Sequence, residues 1–329
     1  MHKFTHFILG VILAGILAGG CRVEQPAPAA PPTITPLSNA AATPQPQVFP
    51  IQVAWFYGPP AEDDDYDVLR ANFDFFILTH NDEALRDRLR SDGISGPFLQ
   101  YLRIDAIQDP GDCGKRPWQN QAATQIGDFC QISAEHPDWF LLDIGGQRIT
   151  HNGYHMMDPG NSEWRAFWLT RAAQSQEQYG WDGLFLDNVE ASLSKRVRRG
   201  QLPARYLSDS SYQQAIEGFI AFIRKTYTNP QNRPLYANIV ALQDQDIWFR
   251  YLAHLDGVMD ESWAVDWDDG LLSPKVWLTD LERAEQTQAL GRQIILVTQG
   301  YQGDIERQQF ALASFLLVTQ GRAVFRYAN

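Results

Sequence analysis

The sequence predicts an α/β chain folded as one (β/α)8 barrel with a long inserted loop after the third strand. Three observations carry this. From residue 51 onward, apolar runs of strand length alternate with amphipathic stretches of helix length, the rhythm of βα units rather than of a sandwich. Eight such runs fall between 51 and 329, the count of a closed barrel. No Gly-x-Gly-x-x-Gly follows any of them, which disfavours the rival open doubly wound sheet.

Before the barrel, residues 1–20 read as an export signal: Lys3 gives a positive end, "FILGVILAGILAGG" (7–20) is apolar, and small residues precede Cys21. That apolar run is too short to span a bilayer as a mature helix. "LAGGC" (17–21) resembles the lipobox of bacterial lipoproteins, departing from it in having Ala18 where Leu is usual. The resemblance implies that Cys21 is lipidated and holds the chain, extracytoplasmic, on a bacterial membrane; secretion with an incidental Cys is the alternative. Residues 21–50, rich in Pro, Ala and Thr and without apolar periodicity, read as an extended tether, leaving 51–329 as the folded domain.

The strands expected are 51–57, 73–80, 97–105, 183–188, 234–240, 255–261, 292–299 and 321–327. Between them, 81–93 and 161–180 each open on an Asn and close on a Gly, as capped helices do. "SDSSYQQAIEGFIAFIRKTY", "SPKVWLTDLERAEQTQALG" and "DIERQQFALASFLLVTQG" have the same form. The chain stops two residues after the eighth run, so a closing helix is expected to be absent or supplied otherwise. The third connection, 106–160, exceeds the usual few residues; its "HPDWFLLDIGGQRI" segment suggests a hairpin, and so long an ordered loop usually shapes a site.

Composition narrows the function. A chain of 329 residues, 44 % hydrophobic with ten Trp, builds a large core, and its net charge of −12 would repel a phosphate backbone. The one basic cluster, "SKRVRRG" (194–200), lacks interleaved aromatics, so no nucleic-acid partner is expected. Cys113 and Cys130 are expected to pair as a disulfide in an oxidising compartment, with two buried thiols as the alternative. No CxxC or HExxH indicates a metal, and no Gly-x-Ser-x-Gly or Cys/His signature indicates acyl transfer. The acidic runs 62–67 and 266–270 lack the spacing of a calcium loop and read as solvated faces.

In such a barrel, chemistry sits where strands run out into loops. The polar residues closing the apolar runs are Tyr57, His80, Arg103 with Asp105, Asp187 with Asn188, Asn238, Asp260 with Glu261, and Gln299. Asp187 after "GLFL" and Glu261 before Trp263 form a candidate carboxylate pair. Glycosidic cleavage needs one ionised carboxylate, to attack the anomeric carbon or activate water, and one protonated acid for the leaving oxygen. Trp263 would raise the Glu261 pKa as an apolar neighbour, Asn188 and Asn238 would bind sugar hydroxyls, and Trp55, Tyr57 and Trp263 would stack on sugar faces. Asp158 in "MDPGN" either reaches the site from the long loop or starts a turn; His80 binds substrate or is a satisfied histidine at a strand end.

The succession "HPDWFLLD", "MMDPGNSEWRAFW", "GWDGLFLDNV", "YANI" and "DGVMDESW" resembles glycoside-hydrolase-like barrel families, especially the hypothetical glycosyl hydrolase family 15 group. It is more distantly similar to the endo-α-1,4-polygalactosaminidase family. The resemblance implies a TIM-barrel hydrolase with Asp187 as nucleophile and Glu261 as acid/base. The expectation is therefore a lipid-anchored glycoside hydrolase acting on a polysaccharide or oligosaccharide with no metal or organic cofactor. A non-catalytic polysaccharide-binding lipoprotein on the same scaffold is the alternative, and a structural part in envelope assembly a third reading.

Overall fold

The computed structural model describes residues 49–57, 65–266 and 270–328. The signal, Cys21, nearly all of the tether and much of the two acidic runs lie outside the described residues. Eight parallel strands close into a barrel: β1 (Gln52–Phe56), β2 (Phe75–Leu78), β3 (Phe98–Arg103), β4 (Gly183–Glu190), β5 (Leu235–Val240), β6 (Gly257–Asp260), β7 (Gln293–Gln299) and β8 (Ala323–Ala328). All eight predicted runs are barrel strands, paired in chain order, with β8 closing on β1 through Gln52 opposite Val324.

Alternation along each strand divides the core in two. Ala54, Phe75, Ile77, Leu99, Tyr101, Phe185, Tyr236, Met259, Ile295, Val297 and Val324 fill the barrel interior. Their neighbours Leu102, Leu184, Leu186, Ala237, Val258, Ile294 and Leu296 face the surrounding helices. These helices are α1 (Asp65–Asn72), α2 (Glu83–Ser91), α3 (Ser162–Tyr179), α4 (Asp209–Ile223), α5 (Gln245–Leu252), α6 (Pro274–Ala289) and α7 (Ile305–Val318). The Asn161 side chain caps α3 by accepting from the N–H groups of Glu163 and Trp164, and Gly180 ends it at φ 70°, as the Asn…Gly spacing predicts. The apolar pattern predicts no helix at α1 or α5; both are short, and α1 begins inside the acidic run 62–67.

After β3 the chain builds a separate small layer. Strands Ala106–Gln108, Thr150–His151 and Tyr154–Met156 form an antiparallel sheet, and helix Asp128–Glu135 lies beside it. The expected hairpin is present: Leu142 bridges Arg148, and the Ile149 N–H donates to the Leu141 carbonyl. Cys113 and Cys130 form a disulfide across 17 residues, with Cα atoms 5.8 Å apart. No helix among the described residues is long and apolar enough to cross a membrane.

Candidate active site

At the C-terminal ends of the strands, the inward phase delivers polar groups to one place. Tyr101 and Arg103 continue the inner face of β3, Asp187 that of β4, Asn238 that of β5, and Glu261 follows Met259 of β6. Asp187 is 8 % exposed and accepts hydrogen bonds from the Tyr101 hydroxyl, from Asn188 Nδ2 at 2.7 Å and from Asn238 Nδ2 at 3.1 Å. Asn238 also favours the Glu261 anion, so it neighbours both carboxyl groups. A shift of pairing register between Leu186 and Val189 bulges β4 at this point, and Asn188 takes a left-handed φ of 58°. The bulge turns Asn188 toward the same mouth as Asp187, against simple alternation.

The two acids divide their protonation states. Burial, and secondly the charge of Asp187, push the Glu261 carboxyl from 4.5 up to about 7; Asn238, Lys195 and Asp260 act less. Burial also raises Asp187, but the hydrogen bonds from Tyr101 and Asn238 and the nearby Arg103 favour its anion. Asp187 therefore ionises first and holds Glu261 protonated. Arg103 is fixed by Asp105, with its Nε 3.0 Å from Oδ1 and Nη2 2.9 Å from Oδ2, and its guanidinium lies 4.2 Å over the Tyr154 ring.

Tyr57 stands at the mouth, 46 % exposed, with its ring 5.0 Å from that of Tyr101. Two aromatics absent from the expected platforms join it: Trp118, whose ring packs edge-on against Tyr101, and Tyr154, edge-on to Trp118. Both come from the inserted layer: Trp118 lies on no strand, and Tyr154 opens a strand of three residues, too short to show a phase in the sequence. Tyr101 was legible, two positions before Arg103 on one strand. Gln299 ends β7 in phase with Ile295 and Val297, while its carbonyl accepts from Arg307 Nε at 2.6 Å.

Four expected site residues are elsewhere. His80 lies one position out of phase with Ile77 and so faces outward, where Nδ1 meets Glu83 at 2.9 Å and the ring packs on Tyr179 beside a cavity of about 300 Å³ outside the barrel wall. Trp263 is wholly buried in the outer layer and donates Nε1 to the Ala311 carbonyl of α7 at 3.2 Å; it is a core residue, not a sugar platform. The rise in the Glu261 pKa comes from burial and Asp187 instead. Asp158 spends its oxygens on Tyr206, Arg205 and the Gly160 N–H, the turn-forming reading of "MDPGN". Trp55 likewise packs outward, against Phe73. Among the described residues no group of three or more His, Cys, Asp or Glu gathers as for a metal ion.

The family model for hypothetical glycosyl hydrolase family 15 matches residues 112–329, which hold both acids and four of the barrel's eight strand pairings. The chain belongs to hypothetical glycosyl hydrolase family 15. This family gives it a glycosidase-type function. Among solved structures, the fold is similar to the glycoside hydrolase domain of PelA from Pseudomonas aeruginosa, at TM-score 0.55 and 17 % identity over 85 % of this chain and 94 % of that one. It is also similar to a noncanonic maltogenic α-amylase, AmyB, from Thermotoga neapolitana, at TM-score 0.50 and 12 % identity over 84 % of this chain and 67 % of that one. At these identities the likeness is one of fold. No curated protein matches the sequence.

Proposed function

We propose that this family 15 member hydrolyses O-glycosidic bonds of a polysaccharide, with Asp187 as nucleophile and Glu261 as acid/base. The observation that carries the reading is a pair of carboxyl groups with Asn238 as common neighbour, Asp187 kept ionised by hydrogen bonds and Glu261 kept protonated to about pH 7. Carboxyl groups close enough to share one amide neighbour favour the retaining course over the wider-spaced inverting one. Asp187 Oδ attacks the anomeric carbon as Glu261 gives its proton to the leaving oxygen. Glu261, now ionised, then takes a proton from water, which displaces Asp187 from the glycosyl ester. Tyr101 holds the attacking carboxylate, and the buried Asn238 Oδ1 has no hydrogen-bond partner among the described residues. Tyr57, Trp118 and Tyr154 supply ring faces for sugars.

The reading includes an extracytoplasmic site of action, with Cys21 lipidated on a bacterial membrane; metabolic labelling with a palmitate analogue, lost in Cys21→Ala, tests it. For the chemistry, Asp187→Asn and Glu261→Gln should each lower turnover by at least a thousandfold with far-UV dichroism unchanged, and NMR of early product should show the anomeric configuration of the substrate. Inverted product would move the role of Asp187 from nucleophile to base.

A further inference from the structure

The loop after β4 carries Lys195, Arg196, Arg198 and Arg199 within five positions, in a chain with 39 acidic residues against 27 Lys and Arg. Its placement is fixed by one buried pair. Arg196 Nη2 lies 2.9 Å from Glu190 Oε1, both side chains 2 % exposed, and the Tyr212 hydroxyl donates to the other oxygen at 2.9 Å. With Arg196 turned inward, helix Ser194–Arg198 leaves Lys195 partly exposed and Arg198 and Arg199 open to solvent. Among the described residues these three have no carboxylate within ion-pair distance.

This positive segment is continuous with the acid pair. Arg199 Nη2 approaches His151 Nε2 at 3.1 Å, and His151 pairs across the inserted sheet with Tyr154. The Tyr154 ring lies under the Arg103 guanidinium, and Arg103 adjoins Asp187 on the opposite residue of the β3–β4 register. The loop is held there by further contacts: Gln201 Nε2 donates to the Thr150 carbonyl at 3.0 Å, and the Ala204 N–H to the Leu142 carbonyl at 2.9 Å. His151 records the convergence, since burial first, then Arg199, Arg196, Arg103 and Lys195, hold its pKa below the usual histidine range.

We propose that this rim is a subsite for carboxylate-bearing sugar units, so that the glycan taken by the site is a polyanion of the polyuronate class. The inference rests on the catalytic reading only in placing the cleaved bond at Asp187 and Glu261. Three cations with no carboxylate partner among the described residues, beside the candidate acid pair, favour an anionic chain laid from that pair over Tyr154 to Arg199. A neutral glycan draws nothing from them, and an amino-sugar polymer is repelled. The chain's net charge of −12 gives a polyanion little attraction overall, which leaves this rim as the place that favours it.

Binding by the full chain carrying Asp187→Asn separates this inference from catalysis. Titration calorimetry with an oligogalacturonate, a cello-oligosaccharide and a chitosan oligosaccharide, at low and high salt, should show the uronate bound tightest and weakened by salt. Lys195→Gln with Arg199→Gln should weaken it at least tenfold and leave the cello-oligosaccharide unchanged. Equal binding of neutral or amino-sugar chains, an unaffected double variant, or capture of phosphatidylglycerol vesicles by these residues without oligouronate binding would overturn the proposal. Uronate binding with no turnover of any polymer by the unsubstituted chain would remove the hydrolase reading alone. Turnover of a neutral polymer without uronate binding would remove the rim alone.

Discussion

Glu261 couples the chemistry of this chain to its stability. Its pKa of about 7 in the fold lies above the ordinary 4.5, so folding favours the protonated form. Its contribution is therefore fully favourable below about pH 4.5 and is lost as pH rises through 7, where the native state bears a cost of up to about 3 kcal/mol. Glu261→Gln has no charge to bury. Its melting temperature should exceed that of the unsubstituted protein by a margin that grows from pH 5 to pH 8; a constant margin would place the carboxyl in water. The same proton governs rate: kcat/KM should fall above about pH 7 as Glu261 loses the proton it must donate. Tyr101 acts on the other acid. Tyr101→Phe removes a donor to Asp187, so the carboxylate ionises at higher pH and kcat/KM at neutral pH should fall roughly 10- to 100-fold, with its acidic limb displaced upward.

At the scale of elements, strand phase decides which expectations survive. Asp187, Asn238, Arg103 and Gln299 lie an even number of positions from inward apolar residues of their own strands, and all reach the mouth. His80 is an odd number from Ile77, a sign present in "FDFFILTH" once the inner face is fixed. Asn188 breaks the rule through a bulge that sequence alone does not announce. Trp263 lies beyond β6, where phase no longer applies, and α7 rather than substrate receives it. Trp263→Ala should accordingly lower stability by about 3–5 kcal/mol in urea unfolding, with KM of the folded fraction unchanged. In the inserted layer the disulfide closes a span of 17 residues, and replacing both Cys113 and Cys130 by Ser should cost about 3 kcal/mol in the same measurement.

For the whole molecule, the alternation of apolar runs and helical stretches was enough to reveal the barrel, because the strands from β2 to β7 are almost wholly buried on both faces and read as continuous apolar segments. The convergence of Asp187 and Glu261 was not legible: 74 positions apart in sequence, they meet only because the barrel closes and Asn238 stands between β4 and β6. The aromatic wall from Trp118 and Tyr154 was hidden for a related reason, since the inserted layer carries little periodicity from which to infer its faces. The central claim is the division of labour between the two acids. Its most direct test is release of reducing ends by the full chain from a panel of neutral, acidic and amino-sugar polysaccharides, with Asp187→Asn and Glu261→Gln in parallel. The account predicts cleavage of at least one polymer and its loss in both variants. Cleavage that persists in either variant would contradict it.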